Sequence, residues 1–244
     1  MILLADADIL VYQAASKNQE DYKWDSETDS TFLYPLEDAI KTLDSDIANL
    51  MKVTKCTEAV FALSSSPNFR YSVLPSYKHN RKDTAKPIHL QELREYLQAN
   101  YPCKIKPQLE GDDVMGILAT KHKGKYLIAT IDKDLKQIPG KHYNWKHEEF
   151  FEISEEAGDW WFYRQTLTGD PGDGYSGCPG IGGVKAEKIL SFHTDPKVIW
   201  QDIVLAYESK GLTEADALQQ ARVARILRAS DYDFKLKQPI LWSP

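Results

Sequence analysis

Eight carboxylates stand in four short groups, and their type and spacing suit a hard divalent cation. Asp6 ends the apolar run Ile2-Leu3-Leu4-Ala5, and Glu110-Gly111-Asp112-Asp113 opens a helical pattern. Asp132-Lys133-Asp134 closes the apolar segment 126–131, and Asp170-Pro171-Gly172-Asp173 follows a second helical pattern. So many negative charges gathered at one edge repel one another unless a cation neutralises them. Oxygen-only donors suit Mg²⁺ or Mn²⁺. Two such ions about 4 Å apart activate a water and stabilise the leaving oxygen of a phosphodiester, and that is the chemistry expected here. On a helix Glu110 and Asp113 share a face while Asp112 turns away from it. At strand spacing Asp132 and Asp134 point the same way. Not all eight are inner ligands, because Mg²⁺ keeps several of its waters. Each group also has a plainer reading taken alone: Asp132 and Asp134 as a helix cap, Asp170 and Asp173 as turn formers, Glu110 to Asp113 as acids favoured at a helix start. Their joint occurrence carries the metal reading.

Gly177-Cys178-Pro179-Gly180-Ile181-Gly182-Gly183-Val184-Lys185-Ala186 precedes a helical pattern. Glycines let a phosphate backbone approach closely, the free N–H groups of the helix start can bind it, and Lys185 adds charge. The pattern is that of a helix-hairpin-helix that grips duplex DNA without reading bases. A nucleotide phosphate loop is disfavoured, since the GxxxxGK[ST] spacing is absent and Ala186 follows Lys185. A net charge of −6 argues against a nucleic-acid partner. Against that, Arg70, Lys78, Arg81, Lys82 and Lys86 form a basic strip broken only by Asp83, and bound metals would reverse the field around the acids.

The elements expected to position these groups alternate. Short apolar runs at 2–5, 58–63, 104–106 and 126–131 read as strands, with helices over 35–51 and 87–97 between them, which implies an α/β fold with a mostly parallel central sheet and flanking helices. Ligands gather at the carboxyl ends of such strands. After residue 155 the strands are expected to stop, leaving helices over 159–167, 184–191, 197–207 and 213–228; residues 22–34 suggest a hairpin. The division expected is an α/β core over 1–157 and a helical extension over 158–244 that holds the glycine hairpin. Hydrophobic residues at 42% and charged ones at 27% indicate a globular enzyme. No apolar run reaches the roughly 20 residues that span a bilayer, and the N-terminus lacks the pattern of a signal peptide, so a cytoplasmic location is expected. Cys56, Cys103 and Cys178 are odd in number and widely spaced, which fits neither a disulfide framework nor a zinc site.

The matching stretches run almost the full length: Leu4-Ala5-Asp6, Tyr12-Gln13-Ala14, Asn68-Phe69-Arg70, Tyr77-Lys78-His79-Asn80-Arg81-Lys82, Leu109 to Gly116, Asp132-Lys133-Asp134, Asp159-Trp160-Trp161, Gly169-Asp170 with Asp173 to Gly177, Ala224 to Arg228, and Leu241-Trp242 with Pro244. In them the chain resembles the flap endonuclease and 5′-exonuclease family, and within it the 5′ to 3′ exonucleases of short-tailed bacteriophages. The resemblance implies a nuclease core over 1–157 with a central sheet and a helical arch at 64–86, and a DNA-binding region over 158–244 with a C-terminal helix-hairpin-helix. It implies metal-site roles for Asp6, Glu110, Asp112, Asp113, Asp132, Asp134, Asp170 and Asp173, with Asp6, Asp112, Asp132, Lys78 and Arg81 as the catalytic set. It further implies DNA contacts by Arg70, Tyr77 (as a base-stacking ring), Lys78, Arg81, Lys82, Gly180, Gly182, Gly183 and Lys185. Two Mg²⁺ or Mn²⁺ ions and a K⁺ held by hairpin carbonyls near 178–183 are the implied cofactors. Duplex DNA with a 5′ end or flap is the implied substrate, with the RNA of an RNA–DNA hybrid as an extension of it, acted on by a monomer. One departure stands out: Ser64-Ser65-Ser66 occupy the place where relatives carry a further aspartate, with Asp8 or a serine-bound water as the substitute. Two other functions remain open at this point. Asp6-Ala7-Asp8 after a strand could serve a phosphatase of the haloacid dehalogenase type, although Ile9-Leu10 do not fit its usual turn. The serine replacement could equally mark a protein that holds DNA junctions without cutting.

Overall fold

A computed structural model describes residues 1–23, 29–81, 84–191 and 193–244; Lys82 lies outside them, so the DNA contact expected of it is not placed. In chain order the elements are β1 (Ile2–Asp6), α1 (Ala7–Lys17), β2 (Gln19–Lys23), β3 (Asp29–Leu33), α2 (Leu36–Thr54), β4 (Glu58–Ala62), α3 (Arg70–Val73), α4 (Leu90–Asn100) and β5 (Cys103–Lys104). They continue as α5 (Gly111–Lys121), β6 (Tyr126–Ala129), β7 (Gly140–Asn144), β8 (Glu149–Ile153), α6 (Glu155–Thr168), α7 (Gly183–Leu190), α8 (Pro196–Glu208), α9 (Glu214–Ala224), β9 (Tyr232–Asp233) and β10 (Gln238–Pro239).

The central sheet runs β5-β4-β1-β6-β7-β8, parallel throughout except for the β7–β8 pair. β1 reads as a continuous apolar run because both faces of its strand are covered. Leu3 and Ala5 face a core shared with α1 and α2, while Leu4 faces one shared with α5 and the segment around Ile226 and Leu227. From β1 the chain builds outward through β4 to β5, then returns to β1's other side as β6. The strand order therefore reverses between β1 and β6, and in an open α/β sheet that switch opens a crevice at the carboxyl ends. Asp6 ends β1 and Asp132 follows β6, so the first and third carboxylate groups meet at this crevice by topology alone.

A third core, around Phe162, Trp200 and Tyr207, joins α6 to α9 and is closed by Trp242. Among the described residues no helix is long and apolar enough to cross a membrane. Several expectations are corrected. β7 and β8 extend the sheet where no strand was expected, because Lys141, His142, Glu149 and Glu152 break the apolar signature of an edge hairpin. The helix expected from residue 87 begins at Leu90, and the one expected to residue 228 ends at Ala224, where Arg225 turns extended. β9 and β10 pair late in the chain, where strands were expected to have stopped. β2 and β3 form the hairpin suggested near 22–34; its turn lies outside the described residues.

Candidate metal centre

Asp6 is 3% exposed and caps α1 with Oδ1, 3.3 Å from Ile9 N, while Oδ2 accepts from Thr130 Oγ1 at 2.9 Å. The same Thr130 oxygen accepts Asp132 N at 2.9 Å, so one hydroxyl ties the ends of β1 and β6 together. Nothing in the local sequence around Thr130 marks it, since its role depends on a partner 124 residues away. Asp132 is not at strand spacing from Asp134. It caps a short 3-10 turn over 133–137 with Oδ1 accepting Asp134 N at 2.8 Å, so the plain capping reading is true of it.

The environment sorts the eight acids into three kinds. Burial and the neighbouring charges of Asp8 and Asp132 push Asp6 up to about 7. Burial and Asp132 push Asp134 up to about 7 as well. Asp112, with no hydrogen-bond or ion-pair partner among the described residues, is raised well above the carboxylate range by burial and by Asp6, Asp132 and Glu110; Asp132 is raised chiefly by burial. Asp132 raises each of the other three, Asp6 raises Asp112 as well, and Lys78 and Lys133 offset only part of this repulsion.

Glu110, Asp170 and Asp173 are already paired. Lys78 Nζ lies 2.6 Å from Glu110 Oε1 and 3.6 Å from Asp173 Oδ2, Arg81 Nη2 bonds Asp173 Oδ1, and Lys133 Nζ lies 3.2 Å from Asp170 Oδ2. Burial works to raise the Glu110 carboxyl, but Arg70 and Lys78 outweigh it and hold it below the ordinary range. Asp113 is the eighth, and its expected metal role is corrected. It is fully buried, bonded at 2.7 and 2.8 Å by Arg70 and at 3.0 Å by Leu227 N, with no face left for a cation.

Two DNA contacts are corrected with it. Arg70, 2% exposed, spends its remaining donors on Val223 O at 2.9 Å and Arg225 O at 2.6 Å. Tyr77 is equally buried, its hydroxyl 2.9 Å from Glu110 Oε2 and 3.0 Å from Asp173 Oδ2, so it positions carboxylates and offers no ring to a base. Lys78 holds φ at 52°, an uncommon left-handed conformation for a lysine, secured by its N–H to Asp173 O at 2.8 Å.

The 170–176 loop is closed by Gly169 and Gly177. Both have positive φ, and a Cβ on either would fall within 2.5 Å of the other's backbone. Asp8, the nearest substitute for the missing aspartate, is spent on Arg94 and on Ser64 N at 2.8 Å, while Ser64 Oγ accepts Gly111 N at 2.9 Å. In the hairpin, Gly180 has φ +73°, Gly182 caps α7, and Lys185 Nζ donates to Gly180 O at 2.8 Å.

Among the described residues no group of three or more acids, histidines or cysteines is arranged so that it could hold a metal ion as it stands. The donor chemistry nonetheless fits a hard cation: four repelling carboxylates, and a buried Asp134 Oδ1 with no hydrogen-bond partner. A stability profile follows. The metal-free fold favours the protonated form of Asp134, so that stabilisation is complete below the ordinary carboxylate pKa and is lost as pH rises to about 7. Melting in EDTA from pH 4 to 8 should show Asp134→Asn gaining on the parent as pH rises, by on the order of a few kcal/mol, with saturating Mg²⁺ abolishing the gain. A parent–variant difference that is flat in EDTA would count against this picture.

A family model described as "5′-3′ exonuclease, N-terminal resolvase-like domain" matches residues 1–159. The exonuclease of Escherichia phage T7 is 33% identical across 100% of this chain and 93% of its own length. The chain belongs to the 5′-3′ exonuclease family. Its fold is that of the 5′-nucleases. The T5 D15 protein co-crystallised with metal ions aligns at TM-score 0.69 and 15% identity, covering 91% of this chain and 88% of that one. A T5 D15 flap endonuclease complex with DNA and metal ions aligns at TM-score 0.66, 15% identity, 91% and 88%. For a 5′-3′ exonuclease, the acids at the β1–β6 switch stand where a ligand belongs, and the dehalogenase reading of Asp6 and Asp8 falls away, Asp8 being tied to Arg94.

Proposed function

We propose that this chain hydrolyses phosphodiester bonds of duplex DNA from a 5′ end or flap, at a Mg²⁺ or Mn²⁺ centre held by Asp6, Asp112, Asp132 and Asp134. The observation that carries the reading is the set of four carboxylates at the switch point, each raised by burial and by neighbouring acids, beside Lys78 and Arg81. Asp170, Asp173 and Glu110 support the set from the rim. Divalent cations there lower the pKa of water and offset charge on the leaving oxygen.

The protein's own groups do the rest. Lys78, pinned between Glu110 and Asp173, presents an ammonium beside the carboxylates that can meet the charge of a phosphate, and Arg81 stands at the open side of the same group. Tyr77 and Thr130 hold the acids in place. Gly182, Gly183 and the α7 N-terminus supply N–H groups for the phosphate backbone, with Lys185 and a K⁺ on hairpin carbonyls as its cationic support. In this reading residues 1–157 carry the four inner acids with Lys78 and Arg81, and 158–244 grip the duplex and lend Asp170 and Asp173 to the rim. The RNA strand of a hybrid is a second substrate, and a monomer suffices.

Duplex DNA labelled at the 5′ or the 3′ end, incubated with Mg²⁺ or EDTA, tests it. Metal-dependent release beginning at the 5′ label is expected. Tight binding with no release under any divalent cation would favour the non-cutting alternative that Ser64 to Ser66 suggest.

A further inference from the structure

The motif Asp159-Trp160-Trp161 has no part in the carboxylate site, yet it lies between that site and the hairpin. Asp132, Lys133, Lys136 and Trp161 line one cleft of ≈ 420 Å³ beside the end of β6. Lys136 Nζ sits 5.1 Å from the centroid of the Trp161 ring, and Arg164 Cζ, one turn further along α6, sits 5.3 Å from it. Arg164 in turn reaches the start of α7, where a Cβ on Gly183 would fall 2.5 Å from its Nη2. Glycine at 183 lets that guanidinium lie against the hairpin where it stands; a larger residue would push it aside. A row of cations therefore runs from Lys133 beside Asp170, through Lys136 and the Trp161 indole, to Arg164 at the hairpin helix.

The partners of these cations are informative. In a chain with more acids than bases, Lys136 has no carboxylate within 4 Å among the described residues, although Glu149 and Glu152 line the same cleft. Arg164 has only Glu187 at 3.6 Å, and its buried Nε lacks a hydrogen-bond acceptor. Both rest on an indole instead. A cation held on an aromatic face keeps its charge and most of its N–H donors, whereas an ion pair would spend them. Such a row suits a partner that carries closely spaced negative charges along a line.

We propose that Lys136 and Arg164, held in register by Trp161, form a track for the phosphate backbone of duplex DNA between the carboxylate site and the glycine hairpin. Trp161 is a positioning residue in it. The inference rests on the DNA reading above but assigns contacts that reading does not require.

The test is the salt dependence of binding to a duplex with a recessed 5′ end, with Ca²⁺ in place of Mg²⁺. Each duplex phosphate contact contributes about −0.9 to the slope of log K against log[salt]. Lys136→Gln alone should make the slope shallower by about 0.9, and Lys136→Gln with Arg164→Gln by about 1.8. Trp161→Leu removes no charge, yet it should weaken binding and flatten the slope, and Trp161→Phe should restore most of the loss. If Lys136→Gln, at a half-exposed side chain, melts like the parent and keeps the parental slope, the track is overturned even where the double variant fails to fold. A parent that neither binds nor cuts the duplex would instead fail the reading above. A parent that cuts, with variants of unaltered slope, fails the track alone.

Discussion

Asparagine at position 112 is expected to lower DNA cleavage about 10³-fold, the scale of several kcal/mol that a metal ligand at a developing charge is worth. The neighbouring Asp113→Asn should instead act on stability. Asp112 has no hydrogen-bond or ion-pair partner among the described residues and is raised well above the ordinary carboxylate range by burial and by Asp6, Asp132 and Glu110. Removing its charge relieves repulsion, so the metal-free variant should melt no lower than the parent while activity collapses. Asp113 is the reverse case: its oxygens hold Arg70 and the N–H groups of Glu110 and Leu227. Its asparagine variant should melt lower and, where folded, still cut. Cleavage rates at rising Mg²⁺, with melting curves in EDTA, separate the two. Equal activity losses with equal stability losses would mean that both acids serve the fold, and Asp112 would leave the metal set.

The contrast between these adjacent residues marks how far the sequence could be read. Apolar runs ending in acids located β1 and β6, and a helix starting at residue 111 put Glu110 and Asp113 on one face with Asp112 turned from it. Which face meets the metal was not legible, because it depends on Arg70, 43 residues away in the chain. A buried arginine looks like any basic residue in a basic strip until its partners are known. Tyr77 deceived in the same way: beside Lys78 and Arg81 it resembled a stacking ring, but its hydroxyl is what the site uses. β7 and β8 escaped notice because edge strands tolerate charge, and the expected strand spacing of Asp132 and Asp134 gave way to a cap, a local turn that the same residues also allow. The glycine hairpin and the carboxylate spacing were legible since each depends on residues close together in the chain.

Arg70→Met carries the largest expected stability loss, about 3–5 kcal/mol, because it strands a buried carboxylate. The guanidinium is bonded bidentately to Asp113 and also to the carbonyls of Val223 and Arg225, which join the end of α9 to the start of α5. Methionine fills much of the space and supplies none of those donors. Asp113 would retain two backbone N–H donors and no counter-charge. A second change, Asp113→Leu, removes the stranded charge, so the double variant should regain a good part of the loss. It should not regain all of it, since the two carbonyls of the α9 end and the N–H groups of Glu110 and Leu227 stay unpaired. Urea unfolding of parent, single and double variants gives the coupling directly, and DNA affinity measured below the melting range gives the control. Arg70 read from its place in the basic strip would be a phosphate contact, and its loss would then weaken DNA binding with little change in unfolding. Buried as it is against Asp113, the opposite is expected: a folded Arg70→Met protein that binds duplex with the parental salt slope and unfolds at much lower urea.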